Sequence, residues 1–373
     1  MTLPPARFPM PHVGVLPSGP KGTIADVDGV RVGHCTLDRG PVQTGVTAIL
    51  PHGDDLYRRK VPAAAAVING FGKSIGLVQV EELGVLETPI ALTNTFAVSA
   101  VARAQIRGAV AANLQIGREW PTVNPLVFEC NDGYLNDIQA LAVEDAHYFS
   151  ACADAGAEVA RGSIGAGRGM ASFDLKGGIG SASRVVMAAG QSHTVGALVL
   201  ANFGRLPMLT IAGRPIGRML ARRFQANREV DRETGHEADH EAGHESPPEQ
   251  GSIIMILATD APLDARQLKR CALRAAAGLA RTGSVYGHGS GDIALAFSTA
   301  SFVPHDAERI AAPPRLADAR LDPLFAACAD CVEQSVLDAL WRATSVVGRD
   351  GHTRLALHEA VPDLAQRLAP GQS

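Results

Sequence analysis

The sequence predicts a mixed α and β fold that is built from two halves of the chain. Apolar strands alternate with Ala-rich helices over about residues 22–226, and the alternation resumes after residue 251. Apolar residues make up 46% and charged residues 19% of the 373 residues, which is ample material for a buried core. Aromatic residues are only 5%, so we expect small residues to close this core tightly.

In the first half, the spacing of apolar residues predicts two helices, over residues 97–117 and 142–162. The run LVFECNDGYLNDI, which starts at Leu126, begins as a strand and ends in polar loop residues. Two strands rich in Val and Leu and two glycine clusters between the elements complete this half: RVVMAAG, HTVGALVLANFGRL, GSIGAGRGM and KGGIGSASR.

A compositional break at residues 227–250 separates the two halves. This acidic, His-rich segment has too little apolar surface to offset the entropy of ordering it, so we predict a disordered linker. The chain then becomes apolar at once, and residues 252–259 predict a buried strand. An amphipathic helix over 264–282, a strand over 292–300 and a long helix over 322–346 follow.

Composition and charge exclude several classes of function. The net charge is −4 and no long basic run is present, so we expect no nucleic-acid partner. The N-terminus lacks the apolar segment of a signal peptide, and no window approaches the roughly 18 apolar residues of a membrane-spanning helix. We therefore expect a soluble cytoplasmic protein without a membrane partner. The C-x-x-C pair Cys328 and Cys331 lies in a helix-like run and predicts a packed face.

The linker contains two matches to the metalloprotease signature H-E-x-x-H, at residues 236–240 and 240–244. That motif binds zinc when a helix places both His side chains on one face beside the Glu. Here Gly and Pro flank the matches and no apolar stripe would dock a helix, so adventitious metal binding is the better interpretation. We predict no functional metal site and no cofactor.

The most informative feature is the Gly251–Ser252 bond, where the linker meets a core strand. An N-terminal Ser is chemically special because its own α-amine, with a pKa of about 7.7–8, can take the proton of the hydroxyl. That amine exists only after the preceding bond is broken. We therefore hypothesise that the Ser252 hydroxyl attacks the Gly251 carbonyl and that the resulting ester is hydrolysed. Gly251 would tolerate the strained backbone that this attack requires.

Four other residues are candidates for chemistry around this serine. Asn202 ends an apolar strand and could donate a hydrogen bond to an oxyanion, or could only form a turn. Ser290 and Asp292 stand two apart at the start of a strand, which puts both side chains on one face. They could hold the serine amine, or only cap a Gly-rich loop. Glu129 ends another strand and could bind a substrate ammonium group, or could lie exposed at the surface.

These stretches closely resemble the DmpA-type peptidase family, which is known for an L-aminopeptidase/D-Ala-esterase/amidase and for bacterial β-peptidyl aminopeptidases. The resemblance runs from about residue 22 to residue 358. The matching stretches are TIADVDGVRVGHCT, INGFGKSIGLVQVEELGVLETPIALTNT, ECNDGYLNDI, KGGIGSASR, VGALVLANFG, GSIIMILATDAPL, GSGDIALAFST and VGRDGHT.

The resemblance implies an α+β fold, an αββα sandwich in which two central sheets are flanked by helical layers. After an N-terminal extension of residues 1–21, residues 22–226 and 252–373 would form one domain. The chain would be cleaved into an α chain ending at Gly251 and a β chain starting at Ser252, and the αβ units would assemble as a tetramer.

For the site, the resemblance implies that Ser252 is the nucleophile, Asn202 the oxyanion donor and Ser290 part of the catalytic cluster. Asp292 stands where some relatives have Glu, and Glu129 matches the carboxylate that binds the free amino group of the substrate.

Two further residues are candidates for substrate contact. Some relatives carry a Tyr two positions after the amine-binding Glu, as a second oxyanion donor. This chain has Asn131 there, and Tyr134 is nearby. The second oxyanion donor is therefore left open.

We expect a self-processing aminopeptidase or amidase that hydrolyses short peptides, amino-acid amides or esters with a free N-terminal amine, through an acyl-enzyme on Ser252. An ornithine-acetyltransferase-like acyl transferase and an amidase for nylon-type oligomers are alternatives, but both favour a Thr nucleophile. A non-catalytic phosphate-binding protein is disfavoured because GSIGAGRGM fits neither the P-loop nor the G-x-G-x-x-G pattern. An unprocessed, inactive homologue is the remaining alternative.

Overall fold

The computed structural model describes residues 9–233, 250–310 and 312–368. The strands in these ranges are β1 (Arg31–Arg39), β2 (Val42–Leu50), β3 (Arg59–Gly70), β4 (Val85–Leu86), β5 (Ile90–Asn94), β6 (Leu126–Cys130), β7 (Ala171–Ser172), β8 (Leu175–Lys176), β9 (Gly178–Ala188), β10 (Gln191–Asn202), β11 (Gln250–Thr259), β12 (Gly289–Ser298), β13 (Val303–Pro304), β14 (Val346–Val347) and β15 (Thr353–Arg354). The α-helices are α1 (Leu77–Leu83), α2 (Val98–Ala112), α3 (Asp145–Ala153), α4 (Gly217–Glu233), α5 (Ala265–Arg281), α6 (Asp322–Arg342), α7 (Leu357–Ala360) and α8 (Leu364–Arg367).

The strands form two main sheets. The small sheet has the order β1-β2-β5-β6, and the large sheet has the order β13-β3-β12-β11-β10-β9 with β4 paired to β3. Pairing is parallel between β5 and β6 and between β11 and β12, and antiparallel between the other neighbours. Two short hairpins, β7–β8 and β14–β15, lie outside these sheets.

Helices cover the outer face of each sheet. α5 packs on β3 and β12, α6 packs on β9 and β10, and α2 and α3 pack on the small sheet. A central core fills the space between the sheets, with Phe128 of β6 and Leu198 of β10 among its buried members. The layers follow the order helix, sheet, sheet, helix, so the predicted αββα sandwich is confirmed. None of the helices within the described ranges is long and apolar enough to cross a membrane.

Strand β11 shows why a continuous apolar run forms a buried strand here. Ile254 faces the central core, whereas Ile253 faces the core beneath α5 and α6. Successive side chains of a strand point to opposite faces, and both faces of the large sheet are covered, so each position must be apolar. The strand predicted over residues 252–259 is confirmed, and it starts earlier, at Gln250, because the preceding backbone already pairs with β12.

The sequence predicts that the cluster KGGIGSASR lies between strands. This prediction is wrong, because most of the cluster belongs to β9. Gly180 allows this, since a Cβ there would lie 1.9 Å from the carbonyl oxygen of Ser335 on α6. The helix backbone therefore packs directly on the strand. A core with few aromatic rings is closed by such approaches, as the composition predicts.

Three predicted helices are shorter in the structure. The helix predicted over 97–117 ends at Ala112, where Asn113 adopts an extended conformation. The helix predicted over 142–162 is reduced to α3, because Gly156 forms a backbone bridge with Val32 of β1. The helix predicted over 322–346 ends at Arg342, and the β-branched residues that follow form β14.

The prediction of a disordered linker over residues 227–250 is wrong for its first part. Helix α4 continues to Glu233, so residues 227–233 are helical. This stretch, NREVDRE, is rich in Arg and Glu, which favour helices strongly. Residues 234–249, which include both H-E-x-x-H matches, lie outside the described residues.

The C-x-x-C pair is part of the packed face of α6. Cys328 and Cys331 are both buried, and the Cys331 Sγ donates a hydrogen bond of 3.3 Å to the carbonyl oxygen of Val195 on β10. The prediction of a packed face is confirmed.

Candidate active site

A cleft of about 750 Å³ opens where the carboxyl end of β6 meets the end of β10 and the start of β11. It brings together most of the predicted site residues: Glu129, Asn131, Tyr134, Asn202, Gly251 and Ser252 line it. Ser290 and Asp292 do not line it. They lie buried behind it, at the start of β12.

Ser252 is fixed by the sheet on both sides. In the pairing register it stands opposite Asn202 of β10 and opposite Gly291 of β12. Its hydroxyl oxygen accepts a hydrogen bond of 3.3 Å from the Gly291 N–H. The buried Cys130 Sγ donates to the Ser252 carbonyl oxygen at 3.3 Å, which ties β6 of the small sheet to this residue. Strand pairing on both sides and the Cys130 thiol therefore fix the backbone of Ser252, and the Gly291 N–H holds its hydroxyl in the cleft.

Gly251 is required for a reason other than the predicted one. Its φ lies outside the left-handed region, so the strained backbone inferred from the sequence is not found. Instead, a Cβ at this position would lie 2.5 Å from the carbonyl oxygen of Asn202 and 2.8 Å from the Cα of Phe203. Only glycine lets the end of β10 come this close to the bond before Ser252.

The Asn202 side chain is oriented by two hydrogen bonds. Its Oδ1 accepts from the Ala171 N–H at 2.9 Å, and its Nδ2 donates to the Asn131 carbonyl oxygen at 2.9 Å. A carboxamide nitrogen has two N–H groups, so the second one can serve a ligand in the cleft. Asn202 thus has a fixed position next to Ser252 rather than the role of a simple turn residue.

Ser290 and Asp292 form a buried pair. The Ser290 hydroxyl donates a hydrogen bond of 2.5 Å to the Asp292 carboxylate, which confirms that the two side chains share one face of β12. Gly291 between them is in register with Ser252. Side chains alternate along a strand, so the pair lies on the face of the sheet opposite to the Ser252 side chain. Ser290 is in register with Gly251. The pair therefore sits behind the Gly251–Ser252 bond and not in the cleft.

Glu129 is buried, with only 3% of its surface exposed, so surface exposure is excluded. Its Oε1 accepts from the Lys73 backbone N–H at 2.8 Å, and its Oε2 accepts from the Thr95 hydroxyl. Both donors are neutral, and no described Lys, Arg or His side chain forms an ion pair with this carboxylate. A cationic group in the cleft would supply that missing charge.

Asn131 and Tyr134 contribute differently from what the sequence suggests. The Asn131 side-chain Oδ1 accepts from the Gly133 N–H at 2.9 Å. The contact of Asn131 with Asn202 is made by its backbone carbonyl oxygen and not by its side-chain amide. The Tyr134 ring lines the cleft and stacks on His352 with centroids 4.7 Å apart. The guanidinium of Arg354 lies 3.7 Å from the same ring centroid.

Sequence reasoning assigned no role to several residues that shape the cleft. Thr95 and Lys73 hold Glu129, and Arg349 donates from its Nε to the Gly133 carbonyl oxygen at 2.7 Å. All three lie in stretches that match the family. Lys73 and Thr95 lie in INGFGKSIGLVQVEELGVLETPIALTNT, and Arg349 lies in VGRDGHT. The matched stretches were therefore a signal, but spacing alone gave no partner for each residue.

Asp132 is a buried carboxyl group between Asn131 and Gly133, which line the cleft, but it does not line the cleft itself. Its Oδ1 accepts from the Asn136 amide at 3.0 Å. Burial raises the pKa of Asp132 from 3.8 to about 7, although hydrogen bonds from Thr44 and Asn136 act against that shift. Within the described parts of the chain, no group of three or more His, Cys, Asp or Glu side chains could hold a metal ion.

An αββα sandwich with a serine on a central strand beside an oriented amide side chain is typical of the N-terminal-nucleophile class of hydrolases. The model of peptidase family S58 matches residues 22–354. The chain belongs to this family.

Individual relatives agree with this assignment. The β-peptidyl aminopeptidase BapA of Sphingosinicella microcystinivorans is 38% identical over 348 residues, which cover 90% of this chain and 85% of that protein. The PH0078 protein of Pyrococcus horikoshii OT3 superposes with a TM-score of 0.85 at 45% identity, covering 95% of this chain and 96% of that one. The L-aminopeptidase D-Ala-esterase/amidase of Ochrobactrum anthropi, a prototype of the serine aminopeptidases with a variant of the Ntn hydrolase fold, superposes with a TM-score of 0.83 at 35% identity, covering 96% of each chain.

These similarities confirm the predicted family resemblance and the predicted class of enzyme, a serine aminopeptidase or amidase with an N-terminal nucleophile. They favour this class over the acyl transferase alternative.

The titration of Asp132 makes the stability of the protein depend on pH in an unusual direction. Between pH 4 and pH 7 the folded protein binds a proton that the unfolded chain releases, so this carboxyl's contribution to the free energy of unfolding falls as pH rises. Asp132→Asn cannot ionise. Its free energy of unfolding, compared with that of the parent, should therefore increase from pH 5 to pH 8, by on the order of 2–4 kcal/mol. Urea unfolding at both pH values measures this, and a constant difference would contradict it.

Proposed function

We propose that the protein is a self-processing serine aminopeptidase/amidase, in which cleavage of the Gly251–Ser252 bond creates the nucleophile. The observation that supports this most is the position of Ser252. Its hydroxyl lies at the floor of a cleft, next to an oriented amide donor, and the residue before it must be glycine.

In the processing step, the Ser252 Oγ attacks the carbonyl carbon of Gly251, and the carbon–nitrogen bond of the peptide breaks. The acyl group moves to Oγ as an ester, and the nitrogen leaves as the α-amine of Ser252. Water then hydrolyses the ester, which gives a carboxylate on Gly251 and restores the hydroxyl. The second N–H of Asn202 can stabilise the oxyanion of the tetrahedral intermediate.

In the mature enzyme, the freed α-amine takes the proton from Oγ as Oγ attacks the substrate carbonyl. The proton passes to the leaving amine, or to the leaving alcohol of an ester, and an acyl-enzyme forms. Water then attacks the acyl-enzyme with the same amine as base. We expect the buried Ser290–Asp292 pair to hold and orient the amine, and the register of Ser290 with Gly251 supports this.

The substrates proposed are short peptides, amino-acid amides or esters with a free N-terminal amine. Glu129 supports this because it is a buried carboxylate in the same cleft as Ser252, held by neutral donors only. The cleft volume of about 750 Å³ is within the usual range of small-molecule sites, roughly 300–1,000 Å³. The names of two relatives, β-peptidyl aminopeptidase and L-aminopeptidase D-Ala-esterase/amidase, agree with this class.

By the same resemblance we propose a cytoplasmic homotetramer of αβ units. Light scattering on the native protein should give four times the mass of one αβ unit, and a monomer mass would contradict it.

Ser252→Ala should abolish both processing and hydrolysis, because no other group can replace the hydroxyl. On a denaturing gel the parent should give two chains, the smaller starting Ser-Ile-Ile-Met by N-terminal sequencing, and the variant one intact chain. Ser298→Ala is the matched control, since Ser298 is buried at the far end of β12, where its hydroxyl donates to the Ala261 carbonyl oxygen and accepts from the Ala300 N–H. It should process like the parent. Two chains from Ser252→Ala would show cleavage by another protease, and one chain from the parent would identify an unprocessed homologue.

Glu129→Gln should weaken the binding of substrates through their free amine. A hydrogen bond to a charged group is worth about 1.5–3 kcal/mol, so KM for an aminoacyl p-nitroanilide should rise by roughly 10–100-fold while kcat changes little. Processing should proceed at the parental rate, because Gly251 presents no free amine. Steady-state kinetics and a processing time course measure both. A parental KM would show that this carboxylate does not bind the amine.

A further inference from the structure

The hairpin β7–β8 has an unfavourable backbone conformation at its tip. The two residues of its turn, Phe173 and Asp174, have φ values of 54° and 61°. L side chains adopt this left-handed region rarely, and a bulky aromatic residue is among the least suited to it. Such a conformation persists only where the surroundings determine it, and residues of this kind cluster at functional sites.

The hairpin is bound to the end of β10, where Asn202 lies. The Phe173 N–H donates to the Phe203 carbonyl oxygen at 2.9 Å, and the Asp174 carboxylate accepts from the Leu206 N–H at 3.1 Å. The buried Phe173 ring meets Phe203 edge to face at 5.1 Å. The first residue of the hairpin, Ala171, provides the N–H that orients Asn202. The position of the hairpin therefore sets the direction of the Asn202 amide.

Lys176, the last residue of the hairpin, is fully buried. Its ammonium group donates to the carbonyl oxygens of Gly167, Met170 and Gly177, at 2.9, 2.7 and 2.8 Å. All three N–H groups of an ammonium are thereby used, and the chain before the hairpin is tied to the chain after it. Burial lowers the pKa of Lys176 well below its usual value, so the charged form is costly here and depends on these contacts.

We propose that Lys176 is a positioning residue for the oxyanion amide of Asn202, and that it acts through the hairpin β7–β8. This inference rests on the proposed function, because it takes Asn202 as the oxyanion donor. Without the ammonium, three buried carbonyl oxygens lose their donor, and the hairpin can shift. The Ala171 N–H then no longer holds the Asn202 amide in the direction that stabilises the oxyanion.

The protein contains a matched control for a buried cation. Arg184 of β9 is also almost fully buried and donates to the carbonyl oxygens of Val13 and Ser183, both at 2.7 Å. It does not line the cleft. Lys176→Met and Arg184→Met therefore each remove a buried cation from backbone carbonyl oxygens, but only the first affects the support of Asn202.

The test compares both variants with the parent as full-length chains, by thermal unfolding, by a processing time course and by kinetics on an aminoacyl p-nitroanilide. Lys176→Met should lower kcat about 10–100-fold, with KM within about threefold, and should slow processing similarly. Arg184→Met should keep kcat of the folded protein within about twofold of the parental value, even if its melting temperature falls as far as that of Lys176→Met. A parental kcat in Lys176→Met, or an equal loss in both variants, would overturn the inference.

A second pair of variants keeps the test decisive if Lys176→Met does not fold. Asp174 is exposed at the hairpin tip, so changes there leave the core intact. Asp174→Ala removes the acceptor for the Leu206 N–H and should lower kcat several-fold. Asp174→Asn should restore most of it, because Asn tolerates the left-handed region and offers an acceptor. Equal parental kcat in both would overturn the role of the hairpin. An unprocessed, inactive parent would instead contradict the proposed function.

Discussion

Strand β11 lies inside the large sheet, antiparallel to β10 on one side and parallel to β12 on the other. This pairing fixes Ser252 between Asn202 and Gly291, and the rest of the site is arranged around these three residues. The register is well determined because both faces of the sheet are closely packed, and a slip by one residue would exchange the side chains, such as Ile253 and Ile254, that fill the two cores. The cleft, the position of Asn202 and the bond before Ser252 therefore depend on one set of backbone hydrogen bonds.

Two buried charges near the cleft are stabilised in the same way, by neutral hydrogen-bonding groups. Glu129 is held by a backbone N–H and a hydroxyl, and Lys176 is held by three carbonyl oxygens. In both cases neutral dipoles satisfy the charge, whereas a salt bridge would cancel it. For Glu129 this leaves attraction for a cationic ligand. For Lys176 it creates a rigid support, because three carbonyl oxygens on different parts of the chain must converge on one nitrogen.

Much of this arrangement could be predicted from the sequence, and the limit has a physical cause. Apolar runs and their polar ends identified β11 and the candidates Ser252, Asn202 and Glu129, because burial and strand ends are local properties of the chain. The donors that orient them, Ala171 for Asn202 and Thr95 for Glu129, are 31 and 34 residues away. The Ala171 donor is a backbone N–H, which carries no residue signature, and the Thr95 hydroxyl is brought to Glu129 only by the pairing of β5 with β6, so no spacing rule finds either.

The predictions of helix boundaries failed for the same reason, because the contacts that end a helix come from distant parts of the chain. The bridge between Gly156 and Val32 ends the predicted helix from outside, through a strand more than a hundred residues earlier. Gly251 was singled out for its backbone freedom, whereas the close approach of β10, which also requires glycine there, is visible only in three dimensions.

The early start of β11 has a consequence for the timing of activity. Gln250 and Gly251 are paired with Gly289 and Ser290 of β12 in the same parallel ladder as the residues that follow. Under the proposed processing, they become the C-terminus of the α chain while still bound in the sheet, with a new carboxylate beside the nucleophile. A peptide held in this way is a tethered product, and tethering gives it a high effective concentration. Chain cleavage and the onset of turnover would then be separate events, with the interval set by dissociation of two strand residues.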